Sequence, residues 1–491
     1  MILPIFLEIA VLIIGCFLLL YECFAADEKK SFVAWMGIGG LAVVLGLSFL
    51  PMQTSGPTYF WHFYAADDAA MYFKRIALLT TIVVLIMSVE YRDIVSQFIY
   101  GVTKQSGLAE FYALPVLTCA GLMWMASAVD FVLIFVSLEL VTISFYILVS
   151  YLRRNPSSLE AGVKYLILGA LSTGFLVYGI TWIYGVTGET ELSHIAAKLP
   201  SLAGQQGPLL FGFILVFIAL GFKIAAVPFQ LWVPDVYQGA PTPVTAYLSV
   251  GSKSAGFIVL VRVLEVFLSA PYLHAKIIAT IAILAALTLI YGNLTALPQE
   301  NFKRLLAYSS IAHAGYLLVA LACLGDAGSQ LAINFYIAGY LLMTLLSFVI
   351  LAALASHLPG DDIKHFNGLS KRAPSLAFGM LIAMLSLAGV PFTAGFLGKF
   401  LIFSTALEHG HYVLVGISVL CVASGFYYYL KIVRAIYWQE PAETGIIPVQ
   451  LPIRITVTVL ALAIVVFGVY PKPLISMFQT ATVSALSTAS R

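Results

Sequence analysis

The chain has 491 residues, 61% of them hydrophobic and only 10% charged, with a mean hydropathy of +0.99. Soluble domains are about 45–50% apolar and about 25% charged, so this chain has too few charges to cover a soluble surface. Its 25 Lys and Arg against 23 Asp and Glu leave a net charge of +2, which builds no polyanion-binding face. Nucleic-acid binding, a secreted disulfide scaffold and a disordered chain are excluded, and a polytopic all-α membrane protein remains.

Fourteen apolar segments follow in chain order, at about 2–24, 32–50, 70–89, 110–128, 130–152, 160–186, 208–233, 242–268, 274–297, 303–324, 329–356, 374–407, 411–438 and 452–479. Most reach about 20 residues, enough for a hydrocarbon layer of about 30 Å at 1.5 Å per residue. The first segment has no basic leader and no small-residue cleavage site, so it reads as a span and not as a signal peptide. The longest connections, near 51–69, 187–207 and 357–373, are polar and show no core periodicity, so no soluble catalytic module is expected. Cys16, Cys23, Cys119, Cys323 and Cys421 form no CxxC or other ligand spacing.

Positive charge sets the orientation. Odd-numbered connections carry Lys29, Lys30, Arg92, Lys104, Arg153, Arg154, Lys303, Arg304, Lys364, Lys371, Arg372, Lys431, Arg434 and Arg454. The opposite side has only Lys74, Arg75, Lys198, Lys276, Lys472 and Arg491. The odd connections are therefore expected to be cytoplasmic and both termini to face outward.

Segments seven and twelve are long and contain proline. Both carry Val-Pro-Phe, at 227–229 after Ala226 and at 390–392 after Gly389. Proline removes a helical hydrogen bond and clashes with the preceding turn, so Pro228 and Pro391 should interrupt their helices. The two positions are five spans apart, which suggests two five-helix units, spans 4–8 and 9–13. An odd number of spans per unit makes the repeat inverted, a recurrent transporter plan. The expected organisation is an N-terminal three-span segment at 1–109, a first repeat at 110–268, a second at 274–438, and a last span with its tail at 439–491.

Ionisable residues lie deep in several segments. Counted from the segment starts, Glu139 is about 14 Å deep, Lys223 about 22 Å, Lys253 about 16 Å and His313 about 15 Å. Lys399 lies beyond the break of segment twelve, and Lys164 is only a turn and a half into segment six. An ionised group at mid-bilayer costs roughly 2.5–3.5 kcal/mol, so these groups must face the interior, one another or water. Buried amines beside a carboxylate can pass protons, because moving one charge loads or unloads its neighbour. Blander readings also exist: a Glu160–Lys164 pair at i,i+4, an interfacial Arg262–Glu265 pair, a core His313, a structural Glu139–Lys223 bridge, and Asp235 as a loop or cap residue. No metal site, nucleotide loop or bis-His haem pattern is present in the sequence.

The strings LGFKIAAVPFQLWVPDVYQGAPTPVTAYLSVGSKSAGF (220–257), EAGVKYLILGA (160–170), GNLTALPQENFKRLLAYSSIAHAGYLLVA (292–320) and LSLAGVPFTAGFLGKF (385–400) resemble the antiporter-like subunits of respiratory complex I. SVGSK, with Lys253, is similar to their N-type branch. The resemblance implies that Glu139 and Lys223 are a coupling pair, that Lys164 faces cytoplasmic proton uptake, that Lys253 and His313 are central relays, and that Lys399 is a terminal group. It implies no cofactor in this chain, with FMN, Fe–S clusters and quinone in other subunits, and M-, K- and J-type neighbours in a bacterial inner membrane. Gln230 departs from the family, which often has His there, and an amide cannot carry a proton as imidazole does. A Mrp-type cation/proton antiporter subunit or a stand-alone secondary transporter is the alternative.

Overall fold

The computed structural model describes residues 3–24, 32–52, 63–101, 108–441 and 445–481. Lys29, Lys30, Lys104 and Arg491, which entered the charge asymmetry, lie outside them. The described chain is all-α, with isolated β-bridges but no strand. We number the spanning helices α1 (Ile5–Phe24), α2 (Val33–Leu47), α3 (Asp68–Glu90), α4 (Ala109–Ser127), α5 (Phe131–Val149), α6 (Pro156–Thr187), α7 (Gln206–Ile224 and Val233–Gly239), α8 (Thr242–Leu268), α9 (Pro271–Ala296), α10 (Phe302–Leu321), α11 (Ala327–Leu354), α12 (Pro374–Ala388 and Ala394–Glu408), α13 (Tyr412–Trp438) and α14 (Leu451–Val469). Among the described residues, twelve candidate spans are long and apolar enough to cross a membrane by length and composition. The other two of the fourteen predicted positions are α2, with 15 residues, and α12, whose halves have 15 residues each.

Several helices begin where a polar side chain satisfies one of the first free backbone N–H groups. Asp67 caps α3 through Ala70, Asp130 caps α5 through Val132, Asn301 caps α10 through Arg304 and Asp326 caps α11 through Ser329. The segment predicted at 452–479 is not one helix. α14 ends at Val469, and Lys472–Ala481 forms a separate short helix, because Pro471 and Pro473 cannot continue the first.

Burial runs inside out relative to a soluble protein. α8, α10 and α11 are 94% buried over their most apolar windows, whereas α6 is 28% buried and carries exposed Val163, Leu166, Ile167 and Leu171. The ionisable groups sit in the buried centre, not on the apolar periphery. Lys74 and Lys303, counted above with the connections, are inside this packing at 0% and 3% exposure.

Two connections are built alike. Phe131 and Leu192 exchange backbone bonds with Thr190 (3.0 Å) and Val129 (2.9 Å), and Phe302 and Ile363 do the same with Asp361 (2.7 Å) and Glu300 (2.8 Å). The first set joins the start of α5 to the α6–α7 connection, and the second joins the start of α10 to the α11–α12 connection.

Candidate functional site

The first half of α7 ends at Ala225, whose φ of 65° reverses the chain. Ala226 N–H donates back to Gly221 O at 2.9 Å and Trp232 Nε1–H to Phe222 O at 3.0 Å, which closes the helix end three residues before Pro228. Lys223 lies in that last turn, where the helix dipole favours a cation. It is 4% exposed, and its Nζ donates to the Thr142 hydroxyl on α5.

Glu139 lies one turn from Thr142 on α5. It is half-buried, and its Oε1 accepts a 2.6 Å bond from Thr173 on α6. Glu139 and Lys223 form no ion pair, so the alternative of a structural bridge is not met; Glu139 is held by Thr173 and Lys223 by Thr142.

Lys253 follows a π-helical turn, Leu248–Ser252, within α8. A π turn shifts the register of the following side chains and often marks a functional position. Lys253 Nζ donates to Ser310 O at 2.7 Å and to the Ser310 hydroxyl. Tyr237 and Tyr340 also bond that hydroxyl, at 3.1 and 3.0 Å. One turn along the helix, Gly256 packs against Lys223: a Cβ there would sit 3.4 Å from the Lys223 Cβ. The two lysines thus flank one helix–helix contact.

His313 lies on α10 a turn beyond Ser310. Its Nδ1 is 2.6 Å from the Tyr336 hydroxyl and its Nε2 is 3.2 Å from that of Tyr429, which also bonds Ser309. Its ring centroid is 5.1 Å from Tyr340 and 6.0 Å from Tyr316. At 2% exposure it is a core histidine fully satisfied by tyrosines, and it also sits between Lys253 and Lys399.

Lys399, on the second half of α12, folds back onto the first half. Its Nζ donates to Leu387 O at 2.8 Å and Ala388 O at 3.0 Å, the last carbonyls of that half-helix, and lies 5.2 Å from the Tyr316 ring centroid. Gly389 ends the half-helix at φ 90°, two residues before Pro391, and a Cβ there would approach Lys399 Nζ to 3.2 Å. Glycine is required there on both counts.

Lys164 is not in this line. It is half-exposed and pairs with Glu160 at 2.7 Å and Asp235 at 2.6 Å; Asp235 in turn pairs with Arg304 at 2.8 Å. Asp235, expected to be a loop residue, therefore ties α7 to α6 and α10. Arg262 does not pair with Glu265. It clasps Asp67, 195 residues away, through Nη1 and Nη2 at 2.9 and 2.8 Å, while Glu265 accepts from Gln330 at 2.5 Å. Sequence reasoning missed the tyrosines around Ser310 and His313, because aromatic residues are ordinary filling in apolar helices. Among the described residues no cluster of three or more His, Cys, Asp or Glu could hold a metal.

A family model described as NADH:quinone oxidoreductase/Mrp antiporter, TM matches residues 128–424. The chain belongs to this family of antiporter-like membrane subunits. Within it, two relatives that match nearly end to end are named subunit N. The protein named NADH-quinone oxidoreductase subunit N of Desulforamulus reducens is 37% identical, covering 98% of each chain, and that of Heliobacterium modesticaldum is 40% identical, covering 93% of this chain and 92% of the other. Among solved structures, a chain of respiratory complex I from Thermus thermophilus matches with TM-score 0.79 and 31% identity over 97% of this chain and all of the other. A chain of the Mrp complex from a Dietzia species shares the fold alone, at TM-score 0.79 and 18% identity, with 97% and 96% covered.

Proposed function

We propose that this chain is a proton-translocating membrane-arm subunit of an NADH:quinone oxidoreductase, in which quinone reduction in other subunits drives proton movement along buried side chains. One observation carries the reading: Lys223, Lys253 and Lys399 are buried amines held by hydroxyl and carbonyl oxygens, with His313 and its tyrosines between the last two. A neutral oxygen accepts from an ammonium, and a hydroxyl can also donate to the free amine, so the site tolerates both protonation states. Lys164 serves uptake, Glu139 and Lys223 couple through Thr142, Lys253 and His313 relay, and Lys399 is terminal. Gln230 is 3% exposed and its Oε1 has no protein partner, so it can hold a water but not a proton of its own.

The two alike connections support the division into two five-helix repeats at 110–268 and 274–438. They lie on opposite sides of the bilayer by helix count, as an inverted repeat requires. Both termini face outward in this reading, and the neighbours are subunits of M, K and J type. FMN, Fe–S clusters and quinone belong to other subunits. A Mrp-type antiporter subunit shares the fold, but the full-length relatives of subunit N type favour the oxidoreductase.

Substituting Lys223→Ala in the assembled complex tests the reading. NADH-driven proton translocation should fall about tenfold or more, the scale of losing a positioned acid–base group. Pumping at the parental level in a normally assembled complex would overturn it.

A further inference from the structure

Away from the central line, a cavity of about 40 Å³ lies between α3, α8 and α11. Asp67, Arg262, Glu265, Gln330 and Asn334 supply its polar lining. It is on the side of the bilayer that carries the start of α1, because α3 and α11 begin there and α8 ends there. A water needs roughly 10–15 Å³ of such space and two to four polar partners, and this cavity offers both. Arg262 lines it without being fully satisfied by the protein. Its Nη groups bond Asp67 and, at 3.0 Å, Ala126 O, but its Nε is buried and has no partner. An unmet buried donor is costly.

Along the helices, residues of the lining lie near the central ones. Its floor includes Ile258, five residues and about 7.5 Å along α8 from Lys253. Asn334 on the same floor is two residues before Tyr336, the partner of His313 Nδ1. At the mouth, Glu265 is half-buried and held by Gln330, next to the exposed residues 325–328.

We infer that this cavity is a water-filled port through which the chain exchanges protons with the outer aqueous phase, with Glu265 as its outermost acid–base group. A proton arriving on cavity water adds to the Glu265 carboxylate and leaves to bulk water, which restores the carboxylate. Asp67 neutralises Arg262, so the guanidinium does not repel the moving charge. The inference rests on the reading of the chain as a proton translocator.

Accessibility and flux test it together in the assembled, membrane-bound complex. Ile333 lines the cavity a turn below Gln330, whereas Leu345 is buried farther along the same helix. Ile333→Cys should react with a charged, membrane-impermeant methanethiosulfonate added from the outer face, Leu345→Cys should not, and the parent chain treated alike corrects for Cys16 and Cys23. Labelled Ile333→Cys, and separately Glu265→Gln, should pump about tenfold less at an unchanged level of complex. The port is overturned if Ile333→Cys stays unlabelled, if its labelling leaves pumping intact, or if Glu265→Gln pumps at the parental rate. Where Ile333→Cys does not assemble, Glu265→Gln decides alone. Lys223→Ala, run alongside, separates the cases: its normal pumping sinks the function proposed above, whereas its loss of pumping beside active port variants sinks only the port.

Discussion

The charges buried near the start of α1 and those along the central line are held in different ways. Near the start of α1, Lys74 meets Glu8 at 2.8 Å with both side chains at 0% exposure, and the Tyr64 hydroxyl bonds both. Arg262 and Asp67 form a two-bond clasp close by. Along the centre, no carboxylate among the described residues lies within ion-pair distance of Lys223, Lys253 or Lys399. A buried pair is fixed, because removing either partner strands the other charge in low dielectric. An amine on neutral oxygens keeps partners in both protonation states. On the proposed reading, charge that stays is paired, and charge that comes and goes is left with hydroxyls and carbonyls. Lys303 lies between the two cases: it caps the second half of α7 through Ala240 O at 2.9 Å, with Asp361 at 3.6 Å.

That contrast can be broken most visibly at Lys74. Lys74→Ala leaves Glu8 uncompensated and should cost about 3–5 kcal/mol, seen as loss of assembled complex on native gels. The double variant Glu8→Gln with Lys74→Met should restore both assembly and pumping. Normal assembly of the single variant would erase the distinction between the two regions. An intermediate effect is expected at Thr142→Val, which takes away the hydroxyl that Lys223 contacts. An unmet buried donor costs about 1–3 kcal/mol, so proton translocation should drop about tenfold while the complex stays at its parental level, and Thr142→Ser should recover it. The smallest effect belongs to Asp235→Asn. Its ion pairs with Lys164 and Arg304 are about one-third exposed, and such pairs are worth about 0–1 kcal/mol. Assembly should be unchanged by thermal inactivation, and a cost as large as that of Lys74→Ala would show that exposure does not govern the contrast.

Much of the line of buried amines was legible in the sequence, and the reasons are specific. Lys223, Lys253 and Lys399 stand out because each interrupts an apolar run far from its ends. Val-Pro-Phe marks both interruptions, although the helices end at Ala225 and Gly389, ahead of the prolines, because the chain must leave the helix before a residue that cannot donate. Other residues were hidden by their position along a helix. Lys74 and Lys303 lie within two turns of a helix start, where they look like snorkelling surface charges, yet neighbouring helices cover them. Arg262 offered Glu265 at i+3 as a local partner, and tertiary packing supplied Asp67 instead. Asp235 looked like a turn residue until α6 and α10 brought Lys164 and Arg304 to it.

The sequence alone determined which segments are apolar enough to enter the bilayer and that Lys223, Lys253, His313 and Lys399 lie deep within them, because the cost of transferring a side chain out of water depends on that side chain and its immediate stretch of chain. Only the tertiary structure decided what each buried group touches. Helix rotation and the choice of neighbours are set by packing among segments hundreds of residues apart, so Lys253 on Ser310, Lys399 on the end of its own broken helix, and Arg262 on Asp67 exist only once the bundle has closed.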